Sequence, residues 1–127
     1  TPHWLARLLA DRCIDGIPDG ESPRIVDMCC GSGTMLAEII KAARDKLGFS
    51  TIDQLGEVAT GFDIDPLAVS LAKATWVVSL STEIKAATKP IVIPIYHADS
   101  LFAVTPVSAS VPLAGESDAI PVSLDGT

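Results

Sequence analysis

Two glycines separated by one residue, Gly31 and Gly33, follow an acidic residue, Asp27, where an apolar run gives way to a helical pattern beginning at Thr34. Glycine lets the backbone approach a ligand closely, and the first N–H groups of a helix have no acceptor within it. The spacing therefore predicts a loop that holds a small polar ligand. Because Asp27 adds a negative charge beside this loop, a ligand that is only a phosphate is disfavoured.

Two more aspartates stand in equivalent positions, since Asp63 ends a second apolar run and Asp99 follows a third. In an open parallel sheet, ligands bind outside the carboxyl ends of the strands. Asp63 is placed to accept hydrogen bonds from two ribose hydroxyls, and Asp99 from an exocyclic amine such as that of adenine. The set predicts a nucleoside site. The alternative is that the glycines only make a tight turn and the aspartates only cap helices, and capping is the better interpretation for Asp65.

Two other nucleotide-binding motifs do not fit. Leu36 stands where the third glycine of the dinucleotide pattern G-x-G-x-x-G belongs. The phosphate-loop pattern G-x-x-x-x-G-K-[ST] does not occur in the chain.

Alternating helices and strands must position these residues. Helices are predicted at 2–13, at 34–47 with Gly48 as the stop, and from Asp65–Pro66 onward, with a short helical turn in the loop 49–57. Strands are predicted at 24–30, 58–63 and 91–96, which implies right-handed crossovers and a parallel sheet. The expected packing faces consist of Trp4, Leu5, Leu8, Leu9 and Cys13 on the first helix, and of Leu67, Leu71, Ala74, Val78 and Ile84 on the third.

Proline at position 94 predicts that the third strand lies at an edge, because proline cannot donate to a sheet ladder. A strand order of 3-2-1 satisfies this and leaves the first strand at the other side. That strand is apolar almost throughout, as a strand buried on both faces would be. Its open edge predicts self-association of the fragment or pairing with a missing C-terminal half.

The sequence predicts one α/β domain over residues 1–102. Its fold is expected to be a partial doubly wound, Rossmann-like sheet that is truncated before a fourth strand. The stretch 103–127 is rich in Pro, Ser and Ala and contains no Lys or Arg, so it reads as an irregular tail or connection. No apolar run approaches the ~18 residues of a membrane span. The three cysteines, two of them adjacent, predict reduced thiols and a cytoplasmic location, with Cys29 and Cys30 as small packing residues.

The net charge of −7 excludes strong binding of a nucleic-acid backbone by this domain alone. Any contact with DNA or RNA is therefore expected through regions outside this chain.

The segments 27–34, 61–66 and 99–101 resemble the first three motifs of S-adenosylmethionine-dependent amino-methyltransferases. The opening Thr1-Pro2 and the helix after it look like the upstream cofactor motif of N6-adenine DNA methyltransferases. Its position before the glycine loop is similar to the gamma arrangement, found in modification subunits of type I restriction systems. The resemblance covers residues 1 to about 102.

The resemblance implies a role for each matching residue. Asp27, Gly31, Gly33 and Thr34 would surround the methionine part of S-adenosylmethionine, and Thr1 would reach its carboxylate. Asp63 would hold the ribose and Ile64 would pack on the adenine. Asp99 would bind the adenine amine, with Ser100 and Leu101 bordering the ring. Met28 departs from the family pattern, which usually has proline after the aspartate.

The fourth family motif, an Asn- or Asp-Pro-Pro-aromatic run that holds the target amine of a flipped base, has no match in the chain. No catalytic residue is therefore assigned, and no metal site is expected. The fragment alone is expected to be inactive, although the whole protein would be an enzyme. The lone histidines, His3 and His97, are expected in packing or surface roles, and Trp4 and Trp76 in the core. An RNA base methyltransferase and a binding module without catalysis remain alternatives.

Overall fold

A computed structural model of the chain describes residues 1–101, so the expected tail 103–127 and the boundary at 102 lie outside the described residues. In chain order, the elements are α1 (His3–Asp15), β1 (Ile25–Asp27), α2 (Thr34–Leu47), α3 (Ile52–Leu55), β2 (Ala59–Asp63), α4 (Pro66–Ser79), α5 (Ser81–Lys85) and β3 (Ile95–His97). The α/β class is confirmed. Among these helices, none is both long and apolar enough to cross a bilayer.

The strands form one parallel sheet in the order β1-β2-β3, which confirms the predicted order 3-2-1. Asp27 on β1 is level with Gly61 on β2, and Asp63 is level with His97 on β3. The carboxyl ends of the three strands therefore meet at one edge of the sheet. Within residues 1–101, β3 lies at the side of the sheet, as Pro94 predicted.

Two predicted strands are shorter than expected. The first strand, predicted at 24–30, ends at Asp27, because the Asp27 carboxylate accepts a hydrogen bond from the Cys29 amide at 3.2 Å and turns the chain. The third, predicted at 91–96, begins only at Ile95. Pro94 has no N–H to give to the ladder, and only its carbonyl takes part, accepting from the Gly61 amide at 2.9 Å.

The helix α2 packs on β2 through a buried apolar face that includes Leu36, Ile39 and Ile40. Glycine at position 61 makes this contact possible, since a Cβ there would stand 2.7 Å from the Leu36 Cδ1 atom. The helix stops at Gly48, as the sequence predicted, and the φ of 68° at Gly48 is in the left-handed region typical of helix C-termini.

The predicted packing face of α1 is wrong. Its buried residues are Ala6, Ala10 and Ile14, whereas Trp4 is 69% exposed. Three other residues of the predicted face, Leu8, Leu9 and Cys13, are exposed as well. Ala6 and Ala10, one turn apart, let α1 approach α2 closely, whereas the large side chain of Trp4 points outward.

The predicted packing stripe of α4 is also wrong. Leu67, Leu71, Ala74 and Val78 are exposed, and the buried residues Val69, Ala72 and Trp76 lie on the opposite side of the helix. Both sides are apolar, so periodicity alone could not distinguish them. The core placement of Trp76 is confirmed, with 1% of its surface exposed.

One face of the sheet is only partly covered within residues 1–101. Phe62 on this face is buried and its ring lies 5.6 Å from that of Tyr96, but Val26 is 51% exposed. The expectation that β1 is buried on both faces therefore does not hold among the described residues. There β1 pairs with β2 alone.

Candidate functional site

The glycine loop, defined as residues 28–33 between β1 and α2, makes a tight turn at the carboxyl end of the sheet. Gly31 and Gly33 have φ angles of 53° and 86°, both in the left-handed region that other residues rarely adopt. The Gly33 amide donates to the Cys30 carbonyl at 2.9 Å, which closes a β-turn, and the Cys30 amide donates to Phe62 on β2 at 2.9 Å. The loop then leads directly into α2, which begins at Thr34.

The glycine loop rests on α4. A Cβ atom at Gly33 would lie only 3.1 Å from the Cα atom of Ala72, so the loop and the helix touch backbone to backbone. Three residues further along α4, the Thr75 hydroxyl donates a hydrogen bond to the Ser32 carbonyl at 2.8 Å. Sequence reasoning missed Thr75, because a single threonine in a helix carries no pattern that would pair it with a loop 43 residues earlier.

Asp63 joins the ends of β1 and β2. One of its carboxylate oxygens accepts from the Gly31 amide at 2.8 Å, and the other accepts from the Asp65 amide at 2.9 Å. These two hydrogen bonds favour the ionised form and hold the pKa of Asp63 below its ordinary value of 3.8. Asp63 therefore lies beside the glycine loop as a carboxylate, and each oxygen still has a second lone pair for a ligand.

Asp65 caps α4, as the sequence predicted. Its side chain accepts from the Leu67 amide at 2.9 Å, and Pro66 occupies the first helical position. The capping role of Asp65 is confirmed.

The third strand end holds the residues predicted for the adenine. The Asp99 carboxylate accepts from the Leu101 amide at 3.1 Å, and the His97 Nε2 atom lies 3.0 Å from the Ile64 carbonyl oxygen. Because a carbonyl can only accept, Nε2 of His97 is the donor. Ile64 and Leu101 are 67% and 79% exposed, so this side of the crevice is open. A surface position for His97 is confirmed, but its ring also ties β3 to the segment after β2.

The structure brings together most of the predicted site at the carboxyl edge of the sheet. Asp27 and the glycine loop end β1, Asp63 and Ile64 end β2, and Asp99, with Ser100 after it, follows β3. Thr1 is different: it is exposed, it precedes α1, and no hydrogen bond joins it to the glycine loop within residues 1–101. Its predicted role stays a prediction.

The two cysteines of the glycine loop differ from each other. Cys30 is buried as expected, and burial together with the nearby charges of Asp27 and Asp63 raises the pKa of its thiol to about 11. Such a thiol is protonated at neutral pH and is a poor nucleophile. Cys29 is exposed, so its expected packing role is wrong. The short β1 explains this, because residue 29 already lies in a turn.

A cavity of about 860 Å³ lies at the opposite end of the sheet, lined among others by Val26, Thr60, Glu83 and Val92. None of the predicted site residues lines it. Its walls combine the uncovered face of the sheet with charged side chains that include Arg24, Asp53 and Lys89. Among residues 1–101, no group of three His, Cys, Asp or Glu residues could hold a metal ion.

No protein-family profile matches the chain, and no curated protein matches it at a significant level. Among solved structures, it is similar to one titled "cryoEM structure DrdV-DNA complex", with a TM-score of 0.54, 17% sequence identity and 80% of this chain covered. The chain spans about a tenth of the length of that protein, since the match covers 10% of it. At this identity the likeness shows the fold alone, which is a partial Rossmann-like α/β sheet with helices packed on it.

Proposed function

We propose that this chain is the S-adenosylmethionine-binding part of an N6-adenine DNA methyltransferase. The observation that carries the proposal is the 2.8 Å hydrogen bond from the Gly31 amide to the Asp63 carboxylate. This hydrogen bond holds the glycine loop, which can bind an amino acid, beside the Asp63 carboxylate, which can accept hydrogen bonds from ribose hydroxyls. S-adenosylmethionine is a nucleoside joined to an amino acid, so a ligand of this kind would span both.

The charge of the crevice supports the same ligand. S-adenosylmethionine carries positive charge on its sulfonium and its ammonium groups. Asp27 ends β1 beside the glycine loop, and Asp63 is held ionised by its backbone donors. Carboxylates near a bound cation stabilise it by Coulomb attraction, which is stronger at a partly desolvated site than in water.

Each strand end would contact a different part of the cofactor. The glycine loop and the start of α2 would bind the methionine part, Asp63 the ribose, and Asp99 with Ile64 the adenine. The cofactor would supply the methyl group, and the chain would hold it and exclude water from one side. Transfer to a base amine by direct attack depends mainly on such positioning and desolvation.

The DNA part of the proposal rests on the sequence resemblance and is supported by the solved structure of similar fold, whose title describes a complex with DNA. Because this chain has a net charge of −7, the DNA-binding surface and the residues around the target base would belong to other parts of the full protein.

Isothermal titration calorimetry of the chain with S-adenosylmethionine tests the site. We expect the chain to bind S-adenosylmethionine and not NAD, because the third glycine of the NAD-binding motif is replaced here by Leu36. Asp63→Ala should weaken the affinity by about 1–3 kcal/mol, since it removes an acceptor for the ribose. Asp19→Ala is the matched control, because Asp19 is an exposed aspartate in the turn before β1.

A sample that is folded by circular dichroism but gives no heat with S-adenosylmethionine would contradict the proposal. Methyl transfer itself is tested with the full gene product, a tritium-labelled donor and DNA with or without adenine in one strand. Cofactor binding with no label transferred to DNA or RNA would instead favour a binding module, and label on RNA alone an RNA methyltransferase.

A further inference from the structure

Within residues 1–101, three hydrogen bonds join the glycine loop to elements that are distant in the sequence. Two come from β2 and the residue that ends it: the Phe62 carbonyl accepts from Cys30, and Asp63 accepts from Gly31. The third comes from α4, where the Thr75 hydroxyl donates to the Ser32 carbonyl at 2.8 Å. The β2 contacts hold Cys30 and Gly31, and of these three bonds only the one from α4 reaches a residue after Gly31.

Residues 31–33 are the part of the glycine loop whose backbone has the greatest intrinsic freedom of rotation. Ser32 lies between two glycines with positive φ angles, and glycine restricts rotation of its neighbouring peptides least of all residues. The Gly33 amide of the same peptide donates to the Cys30 carbonyl at 2.9 Å, so the β-turn holds its N–H side and Thr75 holds its carbonyl side. Without the Thr75 donor, the turn bond alone would resist a rotation that changes the direction of the backbone entering α2 at Thr34.

Two residues of α4 act together on this peptide. Ala72 presents its backbone to Gly33 and sets how closely the loop approaches the helix. Thr75, one turn later on the same helix, sets the orientation of the Ser32 carbonyl. Distance and orientation of the loop are thus both determined by α4.

We infer that Thr75 is a positioning residue for the amino-acid end of the cofactor. This inference rests on the proposed function, in which the glycine loop holds the methionine part. Thr75 would act through Ser32 and would not touch the ligand. Its hydroxyl should therefore matter for a ligand that carries the amino acid and not for one that carries the nucleoside alone, which Asp63 and Asp99 would bind.

The test compares S-adenosylmethionine with 5′-methylthioadenosine, which lacks the amino acid, on the wild-type chain and its variants. Thr75→Val removes the hydroxyl and keeps the branched shape, and we expect it to weaken S-adenosylmethionine binding roughly three- to tenfold. Binding of 5′-methylthioadenosine should change less than twofold. Thr75→Ser should restore the affinity for S-adenosylmethionine.

Ser70→Ala is the matched control, because Ser70 on the same helix donates to the Pro66 carbonyl at 3.0 Å and makes no hydrogen bond to the glycine loop. It should leave both affinities unchanged. If Thr75→Val does not fold, Thr75→Ala and Thr75→Ser differ by the hydroxyl alone and give the same comparison.

Three results would overturn the inference: an unchanged affinity without the hydroxyl, an equal loss for both ligands, or a Thr75→Ser variant as weak as Thr75→Val. An equal loss would show a general structural role. Failure of the wild-type chain to bind S-adenosylmethionine would refute the proposed function. The affinity of the wild type is therefore measured before any variant is compared.

Discussion

Replacing Asp63 with asparagine should destabilise the folded chain even when no ligand is bound. The two carboxylate oxygens of Asp63 accept from the amides of Gly31 and Asp65 at 2.8 and 2.9 Å. An asparagine side chain has one acceptor oxygen and one NH₂ donor, so it can satisfy only one of these amides. The other amide would face a donor and lose its partner.

The expected loss is about 1–2 kcal/mol in the free energy of unfolding. A hydrogen bond to a charged group contributes about 1.5–3 kcal/mol when buried, but Asp63 is only partly buried and water would replace part of what is lost. The Asp65 bond is local to one turn, whereas the Gly31 bond joins two loops. We therefore expect the asparagine oxygen to keep the local bond and the glycine loop to loosen.

Urea unfolding followed by circular dichroism measures this difference, with Asp19→Asn as the control. The control matters because removing any negative charge from a chain of net charge −7 relieves repulsion and stabilises it slightly. If Asp63→Asn were as stable as Asp19→Asn, Asp63 would not hold the glycine loop, and its role would be confined to the ligand.

The same residue gives the stability a defined pH dependence. The folded chain lowers the pKa of Asp63 from 3.8, so the unfolded chain binds this proton more readily. The contribution of Asp63 to stability is therefore complete above that ordinary value and is lost as the pH falls through the lower, folded value. Below pH 3.8, the wild-type chain should lose stability more steeply with falling pH than Asp63→Asn.

Two further predictions follow from the geometry of the glycine loop. Gly33→Ala should destabilise the chain by about 1–2 kcal/mol more than Gly20→Ala in urea unfolding, because overpacking against α4 adds to the cost of a positive φ. Both glycines have nearly the same φ, 86° and 84°, but a Cβ at Gly20 meets nothing within 4 Å, so equal losses would mean that the contact with α4 is loose. Maleimide at pH 7 should label the exposed Cys13 and Cys29 and leave Cys30 unlabelled until the chain unfolds, since burial raises the pKa of that thiol to about 11. Peptide mass spectrometry identifies the labelled sites, and rapid labelling of Cys30 in the folded chain would contradict this reasoning.

The order of the elements could be predicted from the sequence because local signals mark it. Gly48 ends α2, Asp65 and Pro66 begin α4, and Pro94 places β3 at the side of the sheet. Each of these signals works through the backbone of its own neighbourhood. Tertiary packing therefore had little opportunity to override them.

The packing faces could not be predicted in the same way. On α1 the buried face consists of Ala6, Ala10 and Ile14, and the larger Trp4 lies outside it. On α4 both sides are apolar, and Trp76 rather than Leu71 faces the core. Hydrophobic periodicity identifies a stripe but does not say which stripe meets a neighbour.

The site could be predicted as a set of strand ends, but not as a network. Sequence spacing indicated that Asp63 and the glycine loop would meet at one edge of the sheet. It gave no sign that Asp63 bonds directly to Gly31, or that Thr75 reaches Ser32 from α4. Contacts between residues far apart in sequence depend on the exact approach of loops and helices, which no local pattern records.

The four strand-end aspartates separate into two kinds, and this bears on the alternative that they only shape turns. Asp27, Asp63, Asp65 and Asp99 each accept a hydrogen bond from the amide two residues later, the geometry of an Asx-turn. That bond alone explains why an aspartate is present at each position, whether or not a ligand binds. Asp63 differs, because its second oxygen crosses to Gly31 on another loop. Formation of a turn does not require this bond. A cofactor site does require it if the glycine loop must stay at a fixed distance from the carboxylate that accepts from the ribose. Among the four, Asp63 is therefore the residue at which the functional interpretation explains more of the structure than turn formation does.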